Sequence, residues 1–368
     1  MRRLTAVLAA AVLALSLAAC TPASGSDTGA PAAGVAAERV PLAELTPLAD
    51  PKAYEGASTA HLLGAAIEPV TEAPAQSLPA TVVSHDRSGD VDVTVADTSR
   101  VIAMDIAGSI AATVWGLGFG DTLVGRDISS TFPGVEDLPV ITGSGHTINT
   151  EAVIALRPTL VITDGSIGPN DVVTQLRDVG IPVVFIEDTA SYDGAIDMAR
   201  AVAAVYGATA AGEALAQRTA DALAAARADI TTLAPQAEGD RLRMVFLYLR
   251  GSSGVYYLFG SESGADQLIE ALGGVDVAGE LGWGGMRPLT DEAMVSADPD
   301  LILVMTSGLD SVGGVDGLLQ AKPAIALTRA GQHRRIVDMA DGEILSFGPR
   351  SAEVLDALAR AIYAPDVP

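Results

Sequence analysis

A twelve-residue phrase occurs twice in this chain, and it restricts the folds that the chain can adopt. Residues 151–162 read EAVIALRPTLVI and residues 292–303 read EAMVSADPDLIL, at a shift of 141 positions. Each copy is typical of a short helix that stops before a proline and is followed by an apolar strand. Continuous apolar strands are typical of parallel sheets covered on both faces. The repeat therefore predicts two α/β lobes, although any doubly wound protein repeats such a phrase and no common ancestry of the lobes follows.

An alanine-rich run lies between the two copies. Residues 195–233 contain Gly207 and Gly212 as their only helix breakers, and no proline follows until Pro235. This composition predicts either one long helix or a pair of helices. The predicted fold class is therefore α/β, with two Rossmann-like lobes joined by one long helix.

The beginning of the chain has the three parts of a secretory signal. Arg2 and Arg3 precede an apolar run over 4–17, and Leu-Ala-Ala leads directly to Cys20. That ending resembles a bacterial lipobox, and the resemblance implies that the Cys20 thiol is acylated and holds the protein at the outer face of the cell membrane. Because Cys20 is the only cysteine, the folded part has no internal disulfide.

The segment after the signal is rich in Ala, Pro, Gly, Ser and Thr, a mixture that buries too little apolar surface to fold by itself. It is expected to be a flexible stalk. The expected organisation is a lipoprotein signal peptide at 1–20, a stalk at 21–77, an N-terminal lobe at 78–207, a connecting helix at 208–235 and a C-terminal lobe at 236–368.

Charge and motifs exclude several classes of function. The formal net charge of −24 repels nucleic acid, so no nucleic-acid partner is expected. The chain has no Gly-x-Ser-x-Gly elbow, no phosphate-binding loop and no His-Glu-x-x-His motif, and we expect no enzymatic activity. Its four histidines are not spaced as a cluster, which disfavours a zinc or manganese carrier.

The order of lobe, long helix and lobe resembles the helix-linked substrate-binding proteins that serve siderophore, cobalamin and haem importers. The resemblance covers residue 78 to the C-terminus and implies the class III periplasmic-binding-protein fold, with an ABC permease and its ATPase as partners. The phrases that carry it are RVIA at 100–103, VGRD at 124–127, LPVIT at 138–142, LRPTLV at 156–161 and LIEALGG at 268–274.

Three further phrases look like the haemin-binding lipoproteins called HmuT: TFPGVEDLP at 131–139, GHTIN at 145–149 and FLYLRG at 246–251. That resemblance implies that His146 and Tyr248 are the axial ligands of haem iron, one from each lobe. It implies that Arg250 lies against the tyrosine oxygen. It also implies one permease-docking glutamate in each lobe, and Glu136 and Glu270 stand at the matching positions.

The chemistry of these residues agrees with a haem site. Tyr248 and Arg250 are two apart in a predicted strand, so both side chains point to the same face. Ferric iron binds a phenolate, and a neighbouring guanidinium favours the charged form of a tyrosine. His146 follows a predicted strand at 140–142 and precedes a predicted helix. It is therefore expected at the carboxyl edge of a parallel sheet, where open α/β sheets bind ligands.

Other residues are candidates for contact with haem. The shift of 141 relates His146 to Arg287, which is expected in a loop across the cleft, where it would pair with a propionate. Trp283, Met286, Tyr256 and Tyr257 are candidate apolar walls, and each is equally compatible with a place in the core. Two alternatives stay open: a ferric-siderophore or cobalamin carrier, because one fold holds all three ligands, and a surface haem receptor without a transporter.

Overall fold

The computed structural model describes residues 39–62, 66–169 and 171–366. The predicted signal peptide, Cys20 and the first part of the predicted stalk lie outside the described residues.

The strands and helices alternate along most of the described chain. The strands are β1 (Ser58–Ala60), β2 (Ala80–Asp86), β3 (Gly89–Val95), β4 (Val101–Met104), β5 (Leu123–Arg126), β6 (Leu160–Thr163), β7 (Val183–Phe185), β8 (Arg243–Arg250), β9 (Val255–Phe259), β10 (Val275–Asp276), β11 (Met286–Pro288), β12 (Leu301–Met305) and β13 (Ile336–Met339). The α-helices are α1 (Ser109–Gly116), α2 (Thr150–Ala155), α3 (Val172–Asp178), α4 (Tyr192–Val205), α5 (Thr209–Leu233), α6 (Ala265–Ala271), α7 (Val277–Glu280), α8 (Asp291–Ala297), α9 (Thr306–Asp310), α10 (Gly314–Ala321), α11 (Pro323–Ala326), α12 (Arg329–Gln332) and α13 (Ser351–Tyr363). Short 3-10 helices lie at Leu42–Glu44, Gly120–Thr122, Ser144–His146, Glu238–Asp240 and Gly251–Ser253.

The N-terminal lobe is built on a four-stranded parallel sheet in the order β5-β4-β6-β7. Every residue of β4 and β6 is buried, as expected of apolar strands covered on both faces. Helices α1 and α4 supply the apolar cluster on one face, and α2 and α3 supply that on the other. The antiparallel hairpin β2-β3 lies beside β7, where the Ser84 hydroxyl accepts a bond from the Phe185 N–H at 2.9 Å.

The C-terminal lobe is built on a seven-stranded mixed sheet in the order β1-β13-β12-β8-β9-β11, with β10 paired to β8. Strands β8, β12 and β13 are parallel, whereas β9 is antiparallel to both β8 and β11. Helices α5, α6 and α13 cover one face of this sheet, and helices α7 to α12 cover the other. Both phrases of the sequence repeat form a short helix followed by a buried strand, α2 with β6 and α8 with β12.

The alanine-rich run forms a helix pair, one of the two predicted alternatives. Helix α4 ends before Gly207, whose positive φ of 62° and close approach to the Ser77 carbonyl leave no room for a side chain. Helix α5 then contributes Leu215 to the core of the N-terminal lobe and Ile230 to the core of the C-terminal lobe. A single helix therefore connects the two lobes, which makes the fold the predicted pair of Rossmann-like lobes.

The prediction of a stalk up to residue 77 is wrong for residues 39–62 and 66–77. Leu42 is buried in the core of the C-terminal lobe, and β1 adds a parallel edge strand to β13. Ile67 is buried in the core of the N-terminal lobe. The average composition of the segment does not reveal these scattered apolar residues. They are buried because they pack against the cores of the two lobes. Among the described residues, no helix has the length and apolar character that a membrane span requires.

Candidate functional site

His146 lies at the carboxyl edge of the N-terminal sheet, as predicted, but not directly after a strand. Residues 140–142 form only single bridges, Arg126 with Val140 and Thr142 with Ile148. His146 ends a 3-10 helix and has a positive φ of 59°. The loop that carries it is therefore held by isolated hydrogen bonds rather than by a regular strand.

The His146 imidazole borders open space and one neighbouring loop. Its Nδ1 atom lies 3.5 Å from the hydroxyl of Ser129, which donates a 2.6 Å hydrogen bond to the carbonyl of Ile106. A hollow of about 420 Å³ is lined by His146, Ile106, Ser166 and Pro169, among others. The hollow therefore leaves space for a ligand beside His146.

Two buried aspartates fix the neighbouring loops. Asp105 accepts hydrogen bonds from the N–H groups of Ser109 and Ile110, and Asp127 accepts from Ser130 and from the N–H of Asp105 at 3.1 Å. Burial, and then the neighbouring Asp127, raise the pKa of Asp105 well above its ordinary value. Burial also raises the pKa of Asp127, although the bonds from backbone N–H groups oppose that change.

Each buried aspartate is followed by an exposed isoleucine. Ile106 is 55% exposed and Ile128 is 46% exposed, although the aspartate before each of them is buried. The sequence analysis missed these residues. The signal was present, because an Asp-Ile pair directly follows each of the adjacent strands β4 and β5.

On the C-terminal lobe, Tyr248 and Arg250 lie on the same face of β8, as predicted. The Tyr248 ring stacks on Phe259 with a centroid distance of 5.6 Å, and the Arg250 guanidinium lies 4.7 Å from the centroid of the Tyr248 ring. Arg250 also forms a 2.7 Å ion pair with Asp341, whose other oxygen accepts from the N–H of Ser307 at 3.0 Å. Asp341 thus fixes the arginine beside the tyrosine, and the sequence analysis missed this residue.

A contact between the lobes connects these two groups of residues. A Cβ atom added to Gly342 would lie 2.6 Å from the carbonyl oxygen of Ser129. Ser129 borders His146, and Gly342 follows Asp341, which binds Arg250. The structure therefore places the predicted histidine and the predicted tyrosine-arginine pair at two ends of one series of contacts between the lobes.

Two of the predicted wall residues lie on the same sheet face as Tyr248. Tyr257 is the cross-strand partner of Tyr248, and Met286 is the partner of Phe259. Cross-strand partners of antiparallel strands share a face. Met286 is 63% exposed, so its thioether is free to contact a ligand.

Three other candidates lie elsewhere. Arg287 was expected in a loop across the cleft, but it lies in the edge strand β11, and its partner Leu258 belongs to the core on the opposite face of the sheet. Tyr256 and Trp283 pack against that same opposite core, and Lys322 lies 4.2 Å from the centroid of the Tyr256 ring. The structure does not bring these three residues together with Tyr248. Tyr256 and Arg287 lie on the other face of the β9-β11 pair, and Trp283, which precedes β11, packs against the core on that face.

The two candidate docking glutamates are both exposed. Glu136 follows a turn in the N-terminal lobe, and its carboxylate accepts a hydrogen bond from the N–H of Gly134 at 2.5 Å. Glu270 lies on α6 in the C-terminal lobe, at a hollow of about 490 Å³ that Arg227 and Arg241 also line.

The chain is similar to known proteins over most of its length. A family model described as "Periplasmic binding protein" matches residues 106–341. A crystal structure of an arginine-to-alanine variant of the haem-binding protein HmuT is 39% identical, covers 88% of this chain and 97% of its own, and superimposes with a TM-score of 0.82. Solved variants of that protein also include a tyrosine-to-alanine and a histidine-to-alanine substitution, and the substituted tyrosine stands two positions before the arginine.

Two further relatives extend the comparison. The periplasmic haem-binding protein RhuT from Roseiflexus sp. RS-1 is 36% identical, covers 73% of this chain and 98% of its own, and has a TM-score of 0.66. The ABC transporter substrate-binding lipoprotein YvrC of Bacillus subtilis (strain 168), itself uncharacterised, is 26% identical over 285 residues, which are 76% of this chain and 85% of the relative.

Proposed function

This chain belongs to the periplasmic binding protein family and has its class III fold, and from that premise we propose that it captures haem and delivers it to an ABC importer. The proposal includes no catalytic step. The permease and its ATPase are the proposed protein partners, and haem is the transported ligand rather than a resident cofactor.

One observation carries the proposal. A histidine of the N-terminal lobe and a tyrosine of the C-terminal lobe lie at the two ends of contacts that run through Ser129, the adjacent Asp341 and Gly342, and Arg250. The HmuT variants were made at a histidine, a tyrosine and an arginine with the same tyrosine-to-arginine spacing as Tyr248 and Arg250.

The donor set fits ferric haem. Imidazole and phenolate are both axial ligands that haem iron accepts. Ferric iron in a dianionic porphyrin carries one net positive charge, which a Tyr248 phenolate cancels. Arg250 lies against the ring of that tyrosine, and Asp341 keeps the guanidinium in place. We assign His146 and Tyr248 as the axial ligands, and Arg250, Tyr257 and Met286 as further contacts.

The decisive experiment is a haemin titration of the purified protein, followed by its Soret absorbance. The wild type is expected to bind with a Soret shift. His146→Ala and Tyr248→Phe should each change the position of that band and weaken binding, because each removes one ligand of the iron. Tyr256→Phe is the matched control, because Tyr256 lies on the neighbouring strand with its ring on the opposite face. It should bind haemin as the wild type does.

A wild-type protein that does not respond to haemin but binds a ferric siderophore or cobalamin would overturn the haem assignment and leave the carrier role in place. A Soret band that is the same in the wild type, His146→Ala and Tyr248→Phe would refute the assignment of these ligands.

We further propose that the lipid on Cys20 tethers the protein at the outer face of the membrane and that Glu136 and Glu270 dock the two lobes on the permease. Metabolic labelling with a radioactive fatty acid should label the wild type and not Cys20→Ser.

The lobe boundaries at 78–207 and 236–368 and the connecting helix at 208–235 also remain proposals, with segments before residue 78 added to both lobes.

The docking role is tested by exchanging both glutamates for lysine. The double variant should lose haem-dependent growth while its haemin affinity stays that of the wild type, because neither carboxylate borders the cleft residues. Glu55→Lys with Asp121→Lys is the control for the added charge, since both residues are exposed acids. If the docking variant also loses haemin affinity, or if the control pair loses growth equally, the docking assignment is wrong.

A further inference from the structure

We propose that Ile106 and Ile128 form an apolar platform for one face of a porphyrin and thereby select a flat macrocycle over a polar iron chelate. This inference rests on the proposed function and adds to it the residues that choose the class of ligand.

The exposure of the two side chains is the first step. A single exposed apolar side chain on a protein surface is ordinary. These two follow adjacent strands, are 55% and 46% exposed, and lie on loops that touch each other. Both side chains therefore offer apolar surface to water at the same edge of the sheet, next to His146.

The second step is that the loops are fixed. The N–H of Asp105 donates to Asp127 at 3.1 Å, and the Ser129 hydroxyl donates to the Ile106 carbonyl at 2.6 Å. The N–H of Ile106 donates to the Ser166 hydroxyl at 2.8 Å. Because the backbone of Ile106 is bonded on both sides, the loop that presents its side chain is held, and the platform needs no backbone rearrangement to receive a ligand.

The third step is position. Ile106 lines the same hollow as His146, and Ser129 contacts both residues. The N–H of Ile128 donates to the hydroxyl of Thr142, in the loop that leads to His146, at 2.9 Å. The platform therefore lies beside the imidazole that we assign to the iron.

The chemistry of the candidate ligands separates them. A porphyrin is a broad apolar plate, and covering its face with aliphatic side chains releases water from both surfaces. A ferric siderophore presents mainly polar oxygens, which would lose their hydration against isoleucine without gaining hydrogen bonds. The Ile106–Ile128 platform thus favours the first class and disfavours the second.

The test uses two porphyrins, haemin and metal-free protoporphyrin IX, titrated against the purified protein. Ile106→Asn and Ile128→Asn should each weaken the binding of both porphyrins about tenfold, because each loses the burial of an aliphatic side chain. Ile106→Val and Ile128→Val should restore most of the affinity. His146→Ala should weaken haemin while leaving protoporphyrin IX almost unchanged, since that porphyrin has no iron to ligate.

The controls separate this inference from the proposed function. Leu327→Asn removes another exposed side chain, 69% exposed and in the C-terminal lobe, and should leave both affinities unchanged. If the wild type binds haemin and both Ile→Asn variants bind both porphyrins as tightly, the platform is refuted and the haem carrier stands. If the Ile→Asn variants weaken the binding of protoporphyrin IX and the wild type binds haemin no more tightly than protoporphyrin IX, the platform stands. The assignment of His146 and Tyr248 as iron ligands is then refuted. If the wild type binds neither porphyrin, both proposals fall.

Discussion

Gly342→Ala probes the contact between the lobes with a single methyl group. The added Cβ would lie 2.6 Å from the backbone carbonyl oxygen of Ser129 and 3.4 Å from the hydroxyl of Thr131. Ordinary contact begins at 3.4 Å, so the two backbone segments must separate by about 0.8 Å. The φ of Gly342 is not in the left-handed region, so the substitution acts through this contact and not through backbone strain.

The expected cost follows from the rigidity of both segments. Ser129 is fixed by its bond to Ile106, and Gly342 follows Asp341, which is bonded to Arg250. Overpacking of this kind costs about 1–3 kcal/mol, which corresponds to a fall in Tm of roughly 1–4 °C for a chain of this size. Because the shift moves Asp341 and with it Arg250, haemin affinity should fall as well.

The assay is urea unfolding together with haemin titration of the same preparations. Gly239→Ala is the matched control, since a Cβ at that glycine has no atom within 4 Å and its φ is ordinary. If Gly342→Ala is as stable as Gly239→Ala, within about 0.5 kcal/mol, and binds haemin equally well, the two lobes are not in contact at this point. The linkage between the His146 and Tyr248 sides would then be refuted.

Three more predictions address other parts of the molecule. Leu42→Ala should lower the free energy of unfolding, measured in urea, by about 3 kcal/mol, because Leu42 is buried in the C-terminal core. An unchanged urea midpoint would show that the segment around Leu42 does not pack on the folded lobe. Partial desolvation, and then Asp164, raise the pKa of Asp188 to about 6, so the folded state holds this proton more tightly than the unfolded chain does. Wild type should therefore lose stability relative to Asp188→Asn as the pH rises from about 4 to about 7, and a difference that is constant with pH contradicts this. Asp341→Asn should weaken haemin binding roughly fivefold in the wild type and not at all in an Arg250→Ala background, whereas equal losses in both backgrounds would show that Asp341 does not act through the arginine.

The sequence predicts best those strands and helices in which every residue has the same kind of surroundings along the whole element. The apolar run that became β6 is buried on both faces, so its residues carry one signal along their whole length. The same is true of the helix pair, whose alanines favour helix wherever they are placed. His146 was expected at the correct edge because the carboxyl ends of parallel strands share an edge whatever the details of the loop.

Pairings between distant segments were not predictable in this way. Arg287 was assigned to a loop by extending the repeat past its twelve matching residues, yet Met286–Pro288 pairs with β9 as an antiparallel edge strand. Asp341 is 91 residues from Arg250, and nothing in either local sequence reports that ion pair. The prediction of a stalk before residue 78 was wrong for the same reason. The β1 residues form a strand because they pair with β13, which is distant in sequence.

The connection between the lobes also bears on how a ligand is captured. Helix α5 is buried in both cores, through Leu215 at one end and Ile230 at the other, so it cannot bend without breaking its own hydrogen bonds or exposing apolar surface. The lobes also touch at Ser129 and Gly342. Relative motion is therefore expected to be small, and the residues proposed to bind haem are already fixed before haem arrives. Little ordering cost is then left for the binding step, which makes the affinity depend on the contacts themselves and on how well the ligand matches them.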